Sequence, residues 1–200
     1  MISPTIIQIT DVKKLPINVA EVKRYLGVFG AQEIVDDMIS SLSSDVYSKA
    51  RPIASYICVP IKIENNAVDF GFDMVQSKKL SKNLCGCREA FIFGATLGID
   101  VDRLIEKYMK IEPSKGVVIS CIASALIESF CDYVNAILAS KCKSCPRFSP
   151  GYGDFNIEHQ EGILKALDAN KRLGISLTDS FMMKPSKSVT AIIGIKNTEI

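Results

Sequence analysis

Residues 147–154 combine side chains suited to binding a small molecule with a backbone sequence that favours a tight turn. The segment reads Arg-Phe-Ser-Pro-Gly-Tyr-Gly-Asp. Arg147 offers a planar set of N–H donors that matches a carboxylate, and Tyr152 offers a ring for stacking and a phenolic hydroxyl. Pro150 and Gly151 suit the central positions of a type II turn, where glycine supplies a positive φ. The segment is therefore a candidate binding loop between two helical regions.

The same loop also has a purely structural interpretation. Arg147 would then cap the carbonyl groups at the end of the preceding helix, or pair with Asp154, and Tyr152 would fill part of the core. The loop alone does not decide between these two interpretations.

A polar stripe on the preceding helix bears on this choice. Pro113 begins the longest helix that the sequence predicts, which ends near residue 139. At about 100° per residue, Ser124, Glu128, Asp132 and Asn135 share one sector of a mostly apolar helix. A solvent face is one explanation, but exposed faces usually mix both signs of charge, whereas this stripe has acids and no basic residue. Glu128 and Asp132 are therefore candidates to attract a cationic group.

Composition excludes several other classes of function. The chain has 200 residues, 48% of them apolar and 23% charged, which is typical of a globular protein. Its 24 basic and 22 acidic residues are interspersed and give a net charge of +2, so we expect no nucleic-acid partner. No apolar run approaches the roughly 20 residues that span a bilayer, and the N-terminus lacks signal-peptide features. We therefore expect no membrane association and a cytoplasmic location.

The seven cysteines include two close pairs, Cys85 with Cys87 and Cys142 with Cys145. Their spacing is not that of a zinc site, and the single histidine, His159, is not placed to complete one. We therefore expect no metal and interpret most of the cysteines as buried thiols. A redox role for Cys142 and Cys145 stays open, although the strand and helix that usually lower a thiol pKa in such motifs are not evident around them.

The pattern of elements predicts an α+β fold with a twisted antiparallel sheet covered by long helices. A short helix begins at Asn18, a second covers residues 32–47, and two β-rich runs at 53–63 and 68–75 form a hairpin. In the second half we expect sheet strands near residues 90–95, 176–183 and 188–195, and helices at 100–110 and 156–173. These elements divide into a helical and hairpin unit at residues 1–80 and an α+β core at residues 81–200.

Several ordered motifs in the second half resemble the activation domain of vitamin B12 (cobalamin)-dependent methionine synthase. They are Arg-x-x-Pro-Gly-Tyr at residues 147–152, Leu-Thr-Asp-Ser-Phe-Met-Met-x-Pro at 177–185 and Ser-Val at 188–189. Upstream, Ala-Thr-Leu-Gly-x-Asp-Val-Asp at 95–102 and Ala-Leu-Ile-Glu-Ser-Phe at 125–130 resemble short, stand-alone bacterial relatives of that domain. The resemblance covers about residues 85–195.

The resemblance implies a domain that binds S-adenosylmethionine and supports reductive remethylation of an inactive cobalamin, with an electron from flavodoxin or an equivalent donor. By position, Glu128, Arg147, Pro150, Gly151 and Tyr152 would contact S-adenosylmethionine, and no protein nucleophile is expected. The Asp-x-His-x-x-Gly signature that holds cobalamin is absent, since His159 lies in Ile-Glu-His-Gln. We therefore expect cobalamin on a partner chain, a methionine synthase or related corrinoid methyltransferase. The alternative is a non-catalytic interaction or structural subunit that keeps the fold without binding S-adenosylmethionine.

Overall fold

The computed structural model describes residues 3–28, 33–140 and 142–196, which alternate between helices and antiparallel strands. In chain order these are β1 (Thr5–Gln8), α1 (Val19–Leu26), α2 (Glu33–Lys49), β2 (Ile53–Pro60), β3 (Lys62–Glu64), β4 (Ala67–Asp69), β5 (Met74–Gln76), α3 (Lys78–Asn83), β6 (Cys87–Thr96), α4 (Ile99–Ile111), α5 (Pro113–Ala139), α6 (Gln160–Ala166), α7 (Ala169–Leu173), β7 (Ser176–Leu177), β8 (Met183–Lys184) and β9 (Ser188–Lys196). The α+β fold class predicted from the sequence is confirmed.

A four-stranded antiparallel sheet in the order β1, β2, β6, β9 lies at the centre of the fold. Strand β6 is a nearly continuous apolar run and is buried on both faces, because helices cover the sheet on one side and a mixed layer covers it on the other. Phe91 and Phe93 pack with α1, α2, α4 and α5, whereas Ala90 and Ile92 pack with α3, α6 and α7. Alternation along one strand thus determines which helices lie on each face.

The predictions for the long helices hold where local signals are strong. Helix α5 begins at Pro113 and ends at Ala139, and α4 covers the predicted 100–110 segment. Asn18 caps α1, since its side-chain oxygen accepts a hydrogen bond from the backbone N–H of Glu21. The described part of α2 begins at Glu33, so the predicted start at Gln32 lies outside the described residues.

The prediction for residues 53–75 is correct about the turn and wrong about the strand pairing. Asn65 and Asn66 both have positive φ, 52° and 63°, and connect β3 to β4 as a tight hairpin. The first β-rich run, however, divides after Pro60. Its first part, β2, joins the central sheet, and only its last residues form the small sheet β3-β4-β5.

Two further predictions near the C-terminus are wrong. The expected helix at 156–173 is divided into a 3₁₀ turn, α6 and α7, because Asp168 between the two α-helices has a φ of 50°. Residues 176–183 do not form a sheet strand, since β7 and β8 are two residues each and pair only with one another. The end of the helical region at Gly174 is confirmed, with a φ of 67°.

The central sheet takes strands from both sides of residue 80. Strand β2 pairs with β6 along its whole length, and α1 and α2 share a core with α4 and α5. The division at residue 80 into units 1–80 and 81–200 therefore stays a prediction about the sequence, and the sheet and the core both cross it.

Helix α5 corrects the expectation that no segment reaches the length and hydropathy of a membrane span. Its best 18-residue window has a mean hydropathy of 1.7, which by length and composition is enough to cross a membrane. Of that window, 56% is buried inside the fold, where it packs on β6 and β9. A buried core helix satisfies the same criterion, so this feature is weak support for a span.

Gly116 allows α5 to approach α4 closely, so Gly116→Ala should destabilise the fold. An added Cβ would lie 2.8 Å from the backbone nitrogen of Met109 and 3.0 Å from its Cα. We expect the free energy of unfolding, measured in urea, to fall by about 1–3 kcal/mol because of this overlap. In an unobstructed helix the same substitution would instead raise it by about 1 kcal/mol. The control Ser114→Ala is exposed on the same helix and should change stability by less than about 0.5 kcal/mol. A Gly116→Ala variant as stable as the wild type would contradict this packing.

Candidate functional site

The candidate loop forms the rigid turn that the sequence predicts. The N–H of Tyr152 donates to the carbonyl oxygen of Ser149 at 3.2 Å, which closes a four-residue turn with Pro150 and Gly151 at its centre. Gly151 has a φ of 88°, as a type II turn requires. The N–H of Gly151 donates to Phe155 and the N–H of Phe155 donates to Tyr152, at 2.7 and 3.0 Å, so the turn is held from both sides.

Hydrogen bonds to Asp154 connect the end of this loop to the start of helix α3. Its carboxylate accepts hydrogen bonds from the Ser77 hydroxyl at 2.5 Å and from the backbone N–H groups of Lys78 and Lys79 at 2.9 and 3.2 Å. The Ser77 hydroxyl, followed by the two backbone donors, lowers the pKa of Asp154 below its ordinary value. The structural interpretation of the loop offered a pair between Asp154 and Arg147, but the carboxylate of Asp154 bonds to α3 instead.

Arg147 instead contacts the polar stripe of α5. Its Nη2 lies 3.2 Å from Glu128 Oε2 and 3.0 Å from Asp132 Oδ1. The stripe thus attracts a cation from the loop itself. The other terminal nitrogen, Nη1, is buried and has no hydrogen-bond partner. An unpaired buried donor is costly, and a ligand oxygen would satisfy it only after the partly exposed Arg147 side chain turned this nitrogen towards the ligand.

The other end of the stripe receives a second cation. Lys187 Nζ donates to the hydroxyls of Ser120 and Ser124 at 3.0 and 2.9 Å, and burial lowers the pKa of Lys187. The stripe is therefore not a solvent face along its whole length, because Lys187 and Arg147 cover two of its turns.

A cavity of about 470 Å³ opens beside Arg147, a size typical of small-molecule sites. It is lined by residues of α5, the loop, α6, β8 and β9, among them Glu128, Arg147, Phe148, Ser149, Pro150, Tyr152, Gln160, Met183, Ser188, Val189 and Thr190. Four of the five residues singled out from the sequence line this cavity. Gly151 does not, and it contributes the turn.

The side chain of Tyr152 is 67% exposed, so it does not fill the core. Its ring lies at the rim of the cavity and is free to stack on a flat or cationic group. This position contradicts the structural interpretation of Tyr152 and agrees with a binding role.

Gln160 is a site residue that the sequence reasoning missed. It is almost fully buried, its Nε2 donates to the carbonyl oxygen of Phe181 at 2.8 Å, and its Oε1 accepts from the hydroxyl of Thr190 at 3.2 Å. Phe181, whose φ is 59°, lies in the turn between β7 and β8. No local pattern marks this glutamine, because its partners are 21 and 30 residues away.

A second cavity of about 590 Å³ adjoins the first and shares Gln160, Met183 and Ser188 with it. Its other side is α4, which contributes Asp102 and Glu106. The two cavities are therefore neighbours. Among residues 3–28, 33–140 and 142–196, no group of three or more His, Cys, Asp or Glu side chains is placed to hold a metal ion.

The arrangement of the sheet, α5 and the loop defines a known class of fold. A crystal structure of the MetH reactivation domain bound to AdoHcy matches the chain with a TM-score of 0.71 and 14% sequence identity, covering 100% of this chain and 80% of the other. The fold is thus that of a methionine synthase reactivation domain. Residues 135–198 match the family described as vitamin B12 dependent methionine synthase, activation domain, which confirms the resemblance read from the sequence motifs. No curated protein shows significant sequence similarity to the chain.

The matched segment contains the whole candidate loop and β9 but not all of the site. Arg147, Pro150, Gly151 and Tyr152 lie inside residues 135–198, whereas Glu128 lies before them. Glu128 joins the site because α5 places it against Arg147.

Replacing Asp154 with Asn should loosen the loop, because an amide cannot accept hydrogen bonds with both terminal atoms. We expect a lower thermal midpoint for Asp154→Asn near neutral pH. Since folding lowers the pKa of Asp154, the wild-type advantage is present above the ordinary value of 3.8 and disappears as pH falls through the lower folded value. The measurement is thermal unfolding of both proteins from neutral to acid pH. The matched control is Asp37→Asn, which is exposed on α2 and should unfold at nearly the same temperature as the wild type at every pH. An equal effect of Asp37→Asn would contradict a specific role of Asp154 in holding the loop.

Proposed function

We propose that the chain binds S-adenosylmethionine in the Arg147 cavity and supports reductive remethylation of a cobalamin held by a partner methyltransferase. The observation that carries the proposal is a cavity of about 470 Å³, a size that suits a small molecule, lined by Arg147, Glu128 and the Pro150 turn. The AdoHcy in the fold relative is what remains of S-adenosylmethionine after its methyl group has been transferred. The family match at residues 135–198 includes the same loop.

The charges of the site suit a ligand that carries both signs. Arg147 presents a donor to a carboxylate, and the amino-acid end of S-adenosylmethionine supplies one. Glu128 and Asp132 together carry one more negative charge than Arg147 neutralises, so the site retains an attraction for the ammonium or sulfonium group. Both acids are partly exposed, so screening by solvent weakens that attraction.

The loop geometry suits a ligand that must present one end to a partner. Tyr152 at the cavity rim and Pro150 in the turn offer flat surfaces beside an open mouth. The protein contributes binding and orientation. Transfer of the sulfonium methyl group to cobalt, with one electron from a flavodoxin-like donor, is chemistry that the bound ligands supply.

The cobalamin and the electron come from other proteins. Among the residues of the chain we assign no cobalamin ligand, so the cobalamin-binding methyltransferase acts as a partner, and the site of action is the cytoplasm. The second candidate function is a non-catalytic interaction subunit. It is favoured by the fact that Arg147 already has two carboxylate partners, which a purely structural arginine would also have.

Arg147→Ala should weaken binding of S-adenosylhomocysteine and S-adenosylmethionine by about 30-fold or more, since removing one partner of a desolvated charge pair costs about 2 kcal/mol or more. Isothermal titration calorimetry measures this directly. Arg147→Lys keeps the charge but loses the fork of donors, so its affinity should be intermediate. The control Arg103→Ala removes an exposed arginine that pairs with Asp100 and should bind like the wild type. No heat from the wild type at millimolar ligand would contradict the proposal.

A reconstitution assay distinguishes the two candidate functions. A cobalamin-dependent methionine synthase without its own activation domain is mixed with the chain, S-adenosylmethionine and a one-electron donor, and cobalamin absorbance reports remethylation. We expect wild-type chain to restore methylcobalamin and Arg147→Ala to fail while still associating with the partner. Association without remethylation by the wild type would favour the interaction subunit.

A further inference from the structure

Two cysteines from distant parts of the chain meet beneath the segment that carries Arg147. The sulfur atom of Cys87, at the start of β6, lies 3.5 Å from the sulfur atom of Cys145. Both side chains are buried, at 7% and 3% exposure, and both are thiols that form no disulfide. The sequence had drawn attention to Cys142 with Cys145, but the sulfur that Cys145 contacts belongs to Cys87, 58 residues away.

Gly194 on β9 makes this contact between the thiols possible. A Cβ at position 194 would lie 2.7 Å from the sulfur of Cys87 and 3.3 Å from the sulfur of Cys145. The backbone N–H of Cys145 donates to the carbonyl oxygen of Gly194 at 2.8 Å, which holds the second thiol over the glycine. Any side chain at position 194 would therefore clash with the Cys87 sulfur atom and crowd the Cys145 sulfur atom.

An exposed thiol lies close to the buried pair. Cys85 is exposed and is connected to Cys87 by Gly86, whose φ of 80° turns the chain. Burial, together with the hydrogen bond that Cys87 shares with Cys145, raises the pKa of Cys87 to about 12, so Cys87 carries little thiolate at neutral pH. A soluble oxidant therefore reacts first with Cys85 and reaches the buried pair by exchange.

We propose that Cys87 and Cys145 form a reversible disulfide, with small disulfides of the glutathione class as the oxidant. The Cys85 thiolate attacks glutathione disulfide, forms a mixed disulfide and releases one glutathione. Cys87 then attacks the Cys85 sulfur and releases the second glutathione, and Cys145 attacks the Cys87 sulfur and returns Cys85 to the thiolate. In sum, two protein thiols are oxidised to one disulfide, and glutathione disulfide is reduced to two glutathione molecules that take up the two protons.

Formation of this bond would act on the Arg147 segment. The two sulfur atoms must move from contact to a covalent distance of about 2 Å. Cys87 begins the central, doubly buried strand, whereas the Cys145 segment is attached to the edge of β9 through Cys145 and Phe148. The Cys145 side therefore moves more, and Arg147 follows two residues later. This consequence for ligand binding rests on the proposed function, whereas the disulfide does not.

Peptide mapping of the oxidised protein tests the proposal. Reduced protein is incubated with excess glutathione disulfide, alkylated and digested without reductant. We expect a Cys87–Cys145 cross-linked peptide, loss of two thiols per chain and full reversal by dithiothreitol. A final product that lacks this cross-link, or that contains only Cys85–Cys87 or Cys142–Cys145 links, would overturn the proposal.

Variants separate the chemistry from effects on folding. Cys145→Ser and Cys145→Ala should both prevent the cross-link, with circular dichroism showing that at least one of them keeps the fold. The matched control Cys121→Ser, on α5, should cross-link like the wild type. Cys85→Ser should oxidise at least about tenfold more slowly because the exposed nucleophile is gone; an unchanged rate would contradict the exchange route.

Titration of the reduced and oxidised proteins with S-adenosylhomocysteine measures the effect on the site. We expect the oxidised form to bind at least about threefold more weakly, because Arg147 has moved relative to Glu128. Equal affinities would contradict the coupling between the disulfide and the cavity. If the reduced protein does not bind at all, the proposed function fails, and the peptide map still decides the disulfide.

Discussion

The burial of β6 on both faces is the constraint on which the rest of the structure depends. A strand with no solvent face must have a complete layer on each side, and the alternation of Phe91 and Phe93 with Ala90 and Ile92 divides those layers between α5 and the α6–α7 region. Strand β9 pairs with β6 along its whole length, and the segment that carries Arg147 pairs with β9. These pairings fix the positions of α5, β9 and that segment relative to one another. That arrangement brings Glu128 within reach of Arg147.

The candidate site is thus built by residues from several elements of the fold, and its loop is held at both ends by distant parts of the chain. At one end, Asp154 accepts hydrogen bonds from the start of α3, and at the other, Cys145 lies against Cys87 and Gly194. Between these anchors the Pro150 turn is internally hydrogen-bonded. A loop constrained in this way loses little conformational entropy when a ligand binds, which favours affinity.

The charged groups of the site pair with one another, yet one donor of Arg147 has no partner. Arg147 meets two carboxylates through one terminal nitrogen and leaves the other without a partner, so the guanidinium still has N–H groups to donate to a ligand oxygen. The structural and binding interpretations of Arg147 therefore do not exclude one another. At the preceding turns of α5, the hydroxyls of Ser120 and Ser124 rather than carboxylates accept hydrogen bonds from the half-buried ammonium of Lys187.

Local physical chemistry let the sequence alone predict the bounds of α5, the turn at Pro150 and Gly151 and the buried β6, because a helix-starting proline, a positive φ and a continuous apolar run act within a few residues. The resemblance to the family rests on motifs that are contiguous in the sequence, so it too was visible without the tertiary structure. Only the tertiary structure decided that β2 leaves its hairpin for the sheet, that the helical region is divided at Asp168, that Arg147 pairs with Glu128, and that Gln160 and Cys87 join the surroundings of the site. Each of these depends on partners far away in the chain, and long-range pairing is determined by how complete layers pack together rather than by any local pattern.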